Sequence, residues 1–381
     1  MTRPTAGIAV VGMLLKKLHL SAWRSYITCD FTPHPELNFV VGGNATGKTN
    51  LLEAVYYLCT GESWRAGREE ELINWDAERA ELVGLLTRDG YETKVTARIE
   101  RGGRKRLTFG GRRVGKQTMR EAVGAILFTP GHLNLVQGQP HERRHYLDIE
   151  LGSSHPQYGR CWEQYHRALH HRNVCLREVA AGRADQALLE VWDEQVAAYG
   201  ARVLLYRLQL LRSFFPLAVR FYRELTRRKE TLGLRYASTI ELGGTDSEEL
   251  LVRKIRSGLL VRRQEDLLRG ATTIGPHRDE LVILIDGRSA RLYASQGQQR
   301  TIVCAFKLAE LEMHAAYKGR RNIMLMDDVL SELDTEHQEY LLRALIGKTQ
   351  VFITSSQPVA LEHFKSRIRL FELQGERLRE V

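Results

Sequence analysis

Three short stretches of the 381-residue sequence carry residue types that could do chemistry together. The first is GGNATGKT, Gly42–Thr49. Its glycines let the backbone curl until successive N–H groups point inward, which makes a cradle for phosphate oxygens. Lys48 brings a positive charge to the end of a phosphate chain, and Thr49 offers a hydroxyl to Mg²⁺. The spacing G-x-x-x-x-G-K-[ST] predicts a nucleoside triphosphate held by Gly42, Gly43, Asn44, Ala45, Thr46, Gly47, Lys48, Thr49 and Asn50. The second stretch is NIMLMDD, Asn322–Asp328. A buried strand that delivers Asp327 to its carboxyl end can set that carboxylate on Mg²⁺ opposite Thr49. Asp328 points elsewhere and can orient or deprotonate an attacking water. The third is YASQGQQRT, Tyr293–Thr301. It has no charge before Arg300, yet Ser295 supplies a hydroxyl, Gly297 an unobstructed N–H, and the helix that follows a positive dipole end. All three suit a phosphate.

These residues lie far apart in the chain, so a fold must gather them. Met13–Leu20, Tyr26–Phe31 and Leu37–Val41 read as strands, and the last runs straight into the phosphate loop. LLEAVYYLCTG then reads as a helix that stops near Gly61. Residues 81–110 alternate like paired strands, and strand patterns return at Leu281–Ile285, Ile323–Met326 and Val351–Thr354. Between them, from about Arg143 to Arg269, the sequence is helical: two long amphipathic stretches joined near Gly182, with the second ending near Leu211. Ile302, Val303, Phe306, Leu308 and Leu311 give another helix an apolar face. The pattern is an α/β domain split by a helical insertion. The expected organisation is an extension over residues 1–12 outside the folded domain, a head segment over 13–142, the insertion over 143–270, and a second head segment over 271–381.

The charge balance is +10, from 56 basic and 46 acidic residues, which suits a polyanionic partner. Five scattered cysteines show no pairing or zinc spacing, which fits a reducing cytoplasm. No apolar run has transmembrane length, so no membrane partner is expected. His166 and His170 sit one helical turn apart, but no third ligand lies at helpful spacing, and they read as surface or packing residues.

The order of phosphate loop, SQGQQ opening a helix, and MDDVLSELD resembles the ABC-type ATPase heads, a group that includes the SMC and Rad-type chromosome and repair ATPases. Further stretches resemble the RecF family of bacterial recombination-repair ATPases: TGKTNLLEAVYYL, ELINW, FTPGHLNLVQGQPHERRHYLD, HRN and TTIGPHRDEL. GPHRDEL (Gly275–Leu281) and GQPHERRHYLD (Gly138–Asp148) are the more specific of these. The resemblance implies a phosphate-loop ATPase head, a mixed sheet with helices, carrying a mostly helical insertion as a short arm without a long coiled coil. It implies ATP and Mg²⁺ as cofactors, slow DNA-stimulated hydrolysis, and ATP-dependent pairing of two heads. Ser295, Gly297 and Gln298 of one head would then meet the nucleotide of the other, with Asp334 of SELD close by and Lys48, Asp327 and Asp328 acting on the bound side. It implies partners as well: duplex DNA and single-strand/double-strand junctions, with single-stranded DNA a lesser candidate, and RecR, through it RecO and RecA, in gap repair, replication maintenance and the SOS response. The loop departs from the family in having Ala45 where another glycine is usual. TSSQP carries no histidine to sense a terminal phosphate, so the sensor is Thr354, Ser355 or Gln357, or is missing. Gln137 and Gln139 are candidates for the glutamine that touches Mg²⁺ in such heads.

Two basic surfaces could meet DNA. One is Arg101–Lys116, with Arg101, Arg104, Lys105, Arg106, Arg112 and Arg113; the other is Thr226–Lys229 with Arg253–Arg263. A solvated hairpin face is the plain alternative for the first. Arg143 and Arg144 are read as ties between the insertion and the head. A transporter ATPase subunit would place the signature nearer the phosphate loop, an SMC-type clamp would need long heptad arms, and a small-molecule kinase would leave Ser295–Gln299 unexplained.

Overall fold

The computed structural model describes residues 12–151, 156–244, 246–319, 322–356, 367–374 and 377–381. The expected extension, apart from residue 12, and Gln357 lie outside the described residues. Contacts divide the chain into two compact units, Met1–His132 with Phe306–Val381, and Leu133–Ala305.

The first unit holds β1 (Leu14–Trp23), β2 (Tyr26–Phe31), β3 (Leu37–Val41), β4 (Arg79–Arg88), β5 (Tyr91–Glu100), β6 (Arg104–Phe109), β7 (Arg112–Val114) and β8 (Ala125–Phe128). The second contributes β9 (Leu232–Ala237), β10 (Glu280–Ile285) and β11 (Arg288–Ser289), and the chain then returns with β12 (Ile323–Asp327), β13 (Val351–Ser355), β14 (Ile368–Gln374) and β15 (Arg377–Glu380). One sheet of the first unit is antiparallel, in the order β2-β1-β4-β5-β6-β7. Its strands alternate: Leu82 and Leu86 of β4 and Val95, Ala97 and Ile99 of β5 are buried, while Arg79, Lys94 and Glu100 are exposed. That is the pattern of a sheet with one wet face.

The other sheet runs β15-β14-β3-β13-β12-β8, with the inner strands parallel. LNFVV, IMLMD and VFITS are apolar nearly throughout because central parallel strands are covered on both faces. The register pairs Thr354 with both Asp327 and Val40, which brings the carboxyl ends of β3, β13 and β12 level. The helix Lys48–Thr60 packs into the shared core of both sheets through Leu51, Leu52, Val55 and Leu58. Their burial fixes where its first turn, and so the phosphate loop, must lie.

In the second unit, helices Pro156–Ala180 and Ala187–Leu225 form the expected hairpin. The second helix runs fourteen residues past the expected end at Leu211, straight through Pro216. A mid-helix proline costs about 3 kcal/mol. Phe214, Ala218, Phe221 and Tyr222 are buried around it, and each large apolar side chain returns about 1.5–3 kcal/mol, so burial outweighs the missing donor.

Buried arginines organise this unit. Arg172 donates to Asp193 (2.6 Å), Asp266 (2.7 Å) and the Thr272 hydroxyl (2.8 Å). Arg207 donates to Asp148 and, at 2.6 Å, to the carbonyl of Pro276. The two specific sequence runs close on each other here. Arg143 forms a two-pronged pair with Glu280 (2.7 and 3.2 Å), and Arg144 donates to the Asp279 carbonyl (3.1 Å). Asp279 in turn accepts from Tyr236 (2.8 Å), Ser238 (3.1 Å) and the Thr239 amide (2.8 Å). Arg143 and Arg144 therefore tie residues 138–148 to β10, within one unit. Segments 133–142 and 271–305, read from sequence as head, fall within the Leu133–Ala305 unit.

His277 of GPHRDEL is neutral. Its Nε2 faces the Thr272 carbonyl (3.1 Å), which only accepts, so Nε2 carries the hydrogen and Nδ1 accepts from Tyr165 Oη (2.6 Å). Burial, helped by the positive charges of Arg278 and Arg144, pushes its pKa down to about 3 from 6.5. The unfolded chain therefore binds an extra proton between these values, and stability contributed by His277 falls as pH drops below about 6.5. His277→Gln has no such proton to bind. The advantage of wild type over this variant in thermal midpoint should shrink between pH 7.5 and 5 by the equivalent of about 2 kcal/mol. A constant difference across that range would show that His277 titrates alike in both states.

Candidate nucleotide-binding site

The loop after β3 has the form its spacing predicts. Gly47 adopts φ 103°, and a Cβ there would lie 3.0 Å from Ser25 Oγ and 3.3 Å from Tyr26 Oη. Tyr26 also donates to the Gly47 carbonyl at 3.0 Å. Gly42 lacks room too, with the Leu373 carbonyl 2.8 Å from the would-be Cβ. Ala45 stands at φ 61°, the left-handed region where a glycine would be unstrained. Gly43, Asn44 and Ala45 are exposed at the lip of the loop, and Thr46 Oγ1 closes it by donating to the Gly43 carbonyl (2.9 Å).

Lys48 is buried and bends across the loop, donating to the carbonyls of Gly42 (2.7 Å) and Gly43 (2.6 Å). An ammonium has a third hydrogen, left here for a ligand. Burial lowers its pKa, and the negative charges of Asp328 and Asp327 oppose the shift. Asn50 is committed within the chain, donating to Ser25 Oγ (2.9 Å) and accepting from Arg65 (2.7 Å).

The carboxylates meet the loop as expected. Thr49 Oγ1 and Thr354 Oγ1 both donate to Asp327 Oδ1, at 3.0 and 2.7 Å. Oδ2 of Asp327 has no partner among the described residues. A hydroxyl beside a carboxylate with a free oxygen is the hard-oxygen donor set Mg²⁺ prefers. Asp328 is in the left-handed region at φ 52°. Its amide donates to the Thr354 carbonyl (3.2 Å) and Oγ1 (3.0 Å), and this holds the conformation against a cost of about 1 kcal/mol. Its side chain is received by two serines that sequence reasoning missed. Ser331 Oγ donates to Oδ1 at 3.2 Å, and the amide and hydroxyl of Ser356 approach it at 3.2 and 3.3 Å. The only sequence signal for Ser356 was its place after β13, which becomes meaningful once Thr354 is known to pair with Asp327. Of the candidate phosphate sensors, Thr354 is occupied with Asp327 and Ser355 is fully buried.

The third stretch forms a helix start. Ser295 precedes the helix Gln296–Lys318 in a reciprocal cap: Gln298 N donates to Ser295 Oγ (3.2 Å) and Ser295 N to Gln298 Oε1 (2.8 Å). Gln298 Nε2 also donates to Glu230 (2.8 Å), so its amide is committed inside the chain. Ser295 Oγ accepts and keeps its own proton to donate. Ser295, Gln296 and Gly297 are exposed, and the nearest atom to a Cβ on Gly297 would be Ser295 Oγ at 4.0 Å. Among the described residues nothing requires a glycine at 297. Asp334 caps the helix Thr335–Leu345, accepting from the His337 amide (2.9 Å) and ring (2.7 Å).

Elsewhere, Arg104, Arg106, Arg112 and Arg113 are exposed on β6 and β7 without partners among the described residues. Lys105 is turned inward to Glu69 and the Gly61 carbonyl, and Arg101 donates to the carbonyls of Ala77 and Trp75. Gln137 and Gln139 are exposed, and Gln139 precedes the helix Pro140–His145. His166 packs on Trp162, and His171 stacks on Trp192. Among the described residues no group of three or more His, Cys, Asp or Glu side chains converges as a metal site, and no helix is long and apolar enough to cross a membrane.

Residues 14–378 match the family model of the RecF/RecN/SMC N terminal domain. A DNA replication and repair protein RecF from Desulforamulus reducens is 39% identical over 90% of this chain and 92% of its own length. The chain belongs to the RecF family. A solved structure of the recombination mediator protein RecF with ATP, from the RecFOR pathway, is 29% identical, with TM-score 0.87 over 98% of this chain and 99% of that one. An Smc head bound to the C-winged helix domain of ScpA, at 15% identity and TM-score 0.56 over 97% of each chain, shares the fold. The RecF family is one of ABC-type ATPases, and the expected fold class holds: a mixed sheet with helices, a helical insertion, and no long coiled coil among the described residues.

The two glycines make opposite demands. Gly47→Ala should lower stability by about 1–3 kcal/mol, because it strains the backbone and presses on Ser25 and Tyr26. Gly297→Ala should leave the free protein as stable or raise it by up to about 1 kcal/mol, as an alanine replaces a glycine in a helix. Thermal unfolding of both variants checks this; equal losses would mean the two sites are not so different.

Proposed function

We propose that this protein is an ATP-driven, DNA-binding switch of recombinational repair. The observation that carries the reading is Thr49 and Asp327 in direct contact beside a formed phosphate loop. ATP would lie along Gly42–Thr49, with Lys48 at its terminal phosphates and Thr49 and Asp327 holding Mg²⁺. Bound there, the ion would neutralise charge on the phosphate oxygens. Asp328, steadied by Ser331 and Ser356, would orient the attacking water. Ser295, exposed with a proton to donate, suits the outer face of a terminal phosphate held by a second copy. Head-to-head dimerisation would then follow ATP binding, and slow hydrolysis, stimulated by DNA, would release it. Asp334 joins the set as a cap near that interface, and Gln298 serves it by positioning Ser295.

Ser295→Arg should bind ATP as wild type does yet stay monomeric on sizing with a slowly hydrolysed analogue, and lose turnover. Asp328→Asn should bind and dimerise but turn over at least about a hundredfold more slowly. A Ser295→Arg protein that dimerised normally would remove the second copy from the site.

The partner polyanion is duplex or gapped DNA, met through its phosphates, with a lesser affinity for single strands. Arg104, Arg106, Arg112 and Arg113, exposed and unpaired among the described residues, are the best candidates; Arg101 and Lys105 are engaged within the chain. The names of the relatives support a place in DNA replication and repair. On this proposal RecR, and through it RecO and RecA, would be its partners, in the cytoplasm, with the SOS response downstream. Changing Arg106 and Arg113 to alanine together should reduce the log–log salt slope of duplex binding by about 2. An unchanged slope would move the DNA contact off this hairpin.

A further inference from the structure

One cleft of the first unit has no place in the chemistry above. It measures about 990 Å³ and is walled by Arg24, Ser25, Asn50, Arg65, Asn74 and Trp75, among others. It opens directly off the phosphate loop. Asn50 is on the first turn of the helix that begins at Lys48, and Ser25 Oγ is the atom that a Cβ on Gly47 would meet.

Trp75 is 92% exposed, whereas Trp23, Tyr26 and Tyr57 nearby in the fold are fully buried. Tryptophan is a largely buried residue type, so an open indole is a feature to be explained. The indole does not hang from a loose loop. Asn74 N donates to the Ala22 carbonyl (2.9 Å) and its Nδ2 to the Arg24 carbonyl (2.8 Å), while the Trp75 carbonyl accepts from Arg101 (3.1 Å). Ile73 is bridged to Trp23. Behind it, Glu53 is fully buried and holds both Arg24 (2.9 Å) and Arg65 (2.8 Å), which fixes the polar wall of the cleft. Asp76, next in sequence, has a carboxylate with no partner among the described residues.

A phosphate chain seated in the loop must send its sugar and base out of an open side of the cradle, and Ser25 and Asn50 line this one. A flat apolar ring face beside a free carboxylate and guanidinium groups suits a planar heterocycle on a sugar with hydroxyl donors. We propose that Trp75 is the platform on which the base of the bound nucleotide stacks, with Asp76 facing its ribose. This rests on the nucleotide reading above and deepens it.

The test compares wild type, Trp75→Phe and Trp75→Ala by calorimetry, with ATP and with inorganic tripolyphosphate. Trp75→Ala should bind ATP about tenfold more weakly, Trp75→Phe within about threefold of wild type, and all three should bind tripolyphosphate alike. ATP affinity unchanged in Trp75→Ala would overturn the platform. So would equal losses for ATP and tripolyphosphate, which would make Trp75 a support of the loop. Wild type binding tripolyphosphate but gaining nothing from the nucleoside would overturn it as well. Wild type binding neither would sink the nucleotide reading itself, and the platform with it.

Discussion

A single oxygen, Asp327 Oδ1, accepts hydroxyl protons from Thr49 and Thr354. Through it the phosphate-loop helix, β12 and β13 share one fixed point, although the residues involved are separated by 278 and 27 positions in sequence. Everything at the site is measured from that point. The amide of Asp328 turns back onto Thr354, which aims its side chain at Ser331 and Ser356. The other side of the same helix is buried under both sheets, so the loop cannot shift without disturbing the core. The charge of Lys48 is kept in a partly desolvated place by the two aspartates that oppose its neutralisation.

The second unit follows a different logic. Arg172 and Arg207 are buried charges, and such charges are tolerated only when paired with opposite charge and hydrogen-bonded. Their partners come from separate stretches of the chain: Asp148, Tyr158, Asp193, Tyr236, Asp266 and the 272–276 turn. Removing one acceptor would leave a buried cation unpaired. The runs read from sequence as the more specific part of the resemblance, GQPHERRHYLD and GPHRDEL, contribute much of this network. Arg143, Arg144, Asp148, His277, Asp279 and Glu280 bond one another or their immediate surroundings. They read in sequence as marks of a family resemblance, and in the fold they are a set of mutual supports.

The phosphate loop, the strand ending in Asp327 and the helix after Ser295 were legible in sequence because each is a local pattern: spacing, an apolar run, or a cap followed by a helical face. The helix end at Leu225 was not, because Pro216 is a local stop overruled by burial that only the packed hairpin supplies. Ser356 and Ser331 were invisible for a related reason. A serine beside a strand means nothing until the register sets it against a carboxylate. The left-handed backbone of Asp328 and the commitment of Gln298 to Glu230 are likewise properties of the neighbours rather than of the residues. Among the basic residues of 101–113, sequence could count charges but could not separate Arg106, which is open, from Lys105, which is bound to Glu69.

The conformation of Asp328 restricts which acid can occupy that place. Aspartate and asparagine enter the left-handed region more easily than other side chains, because their short polar groups bond to nearby backbone. A glutamate would carry the same charge but without that tolerance, and its carboxylate would sit one methylene beyond the reach set by Ser331 and Ser356. The site thus discriminates between two chemically similar acids on backbone geometry, before any difference in their reactivity comes into play.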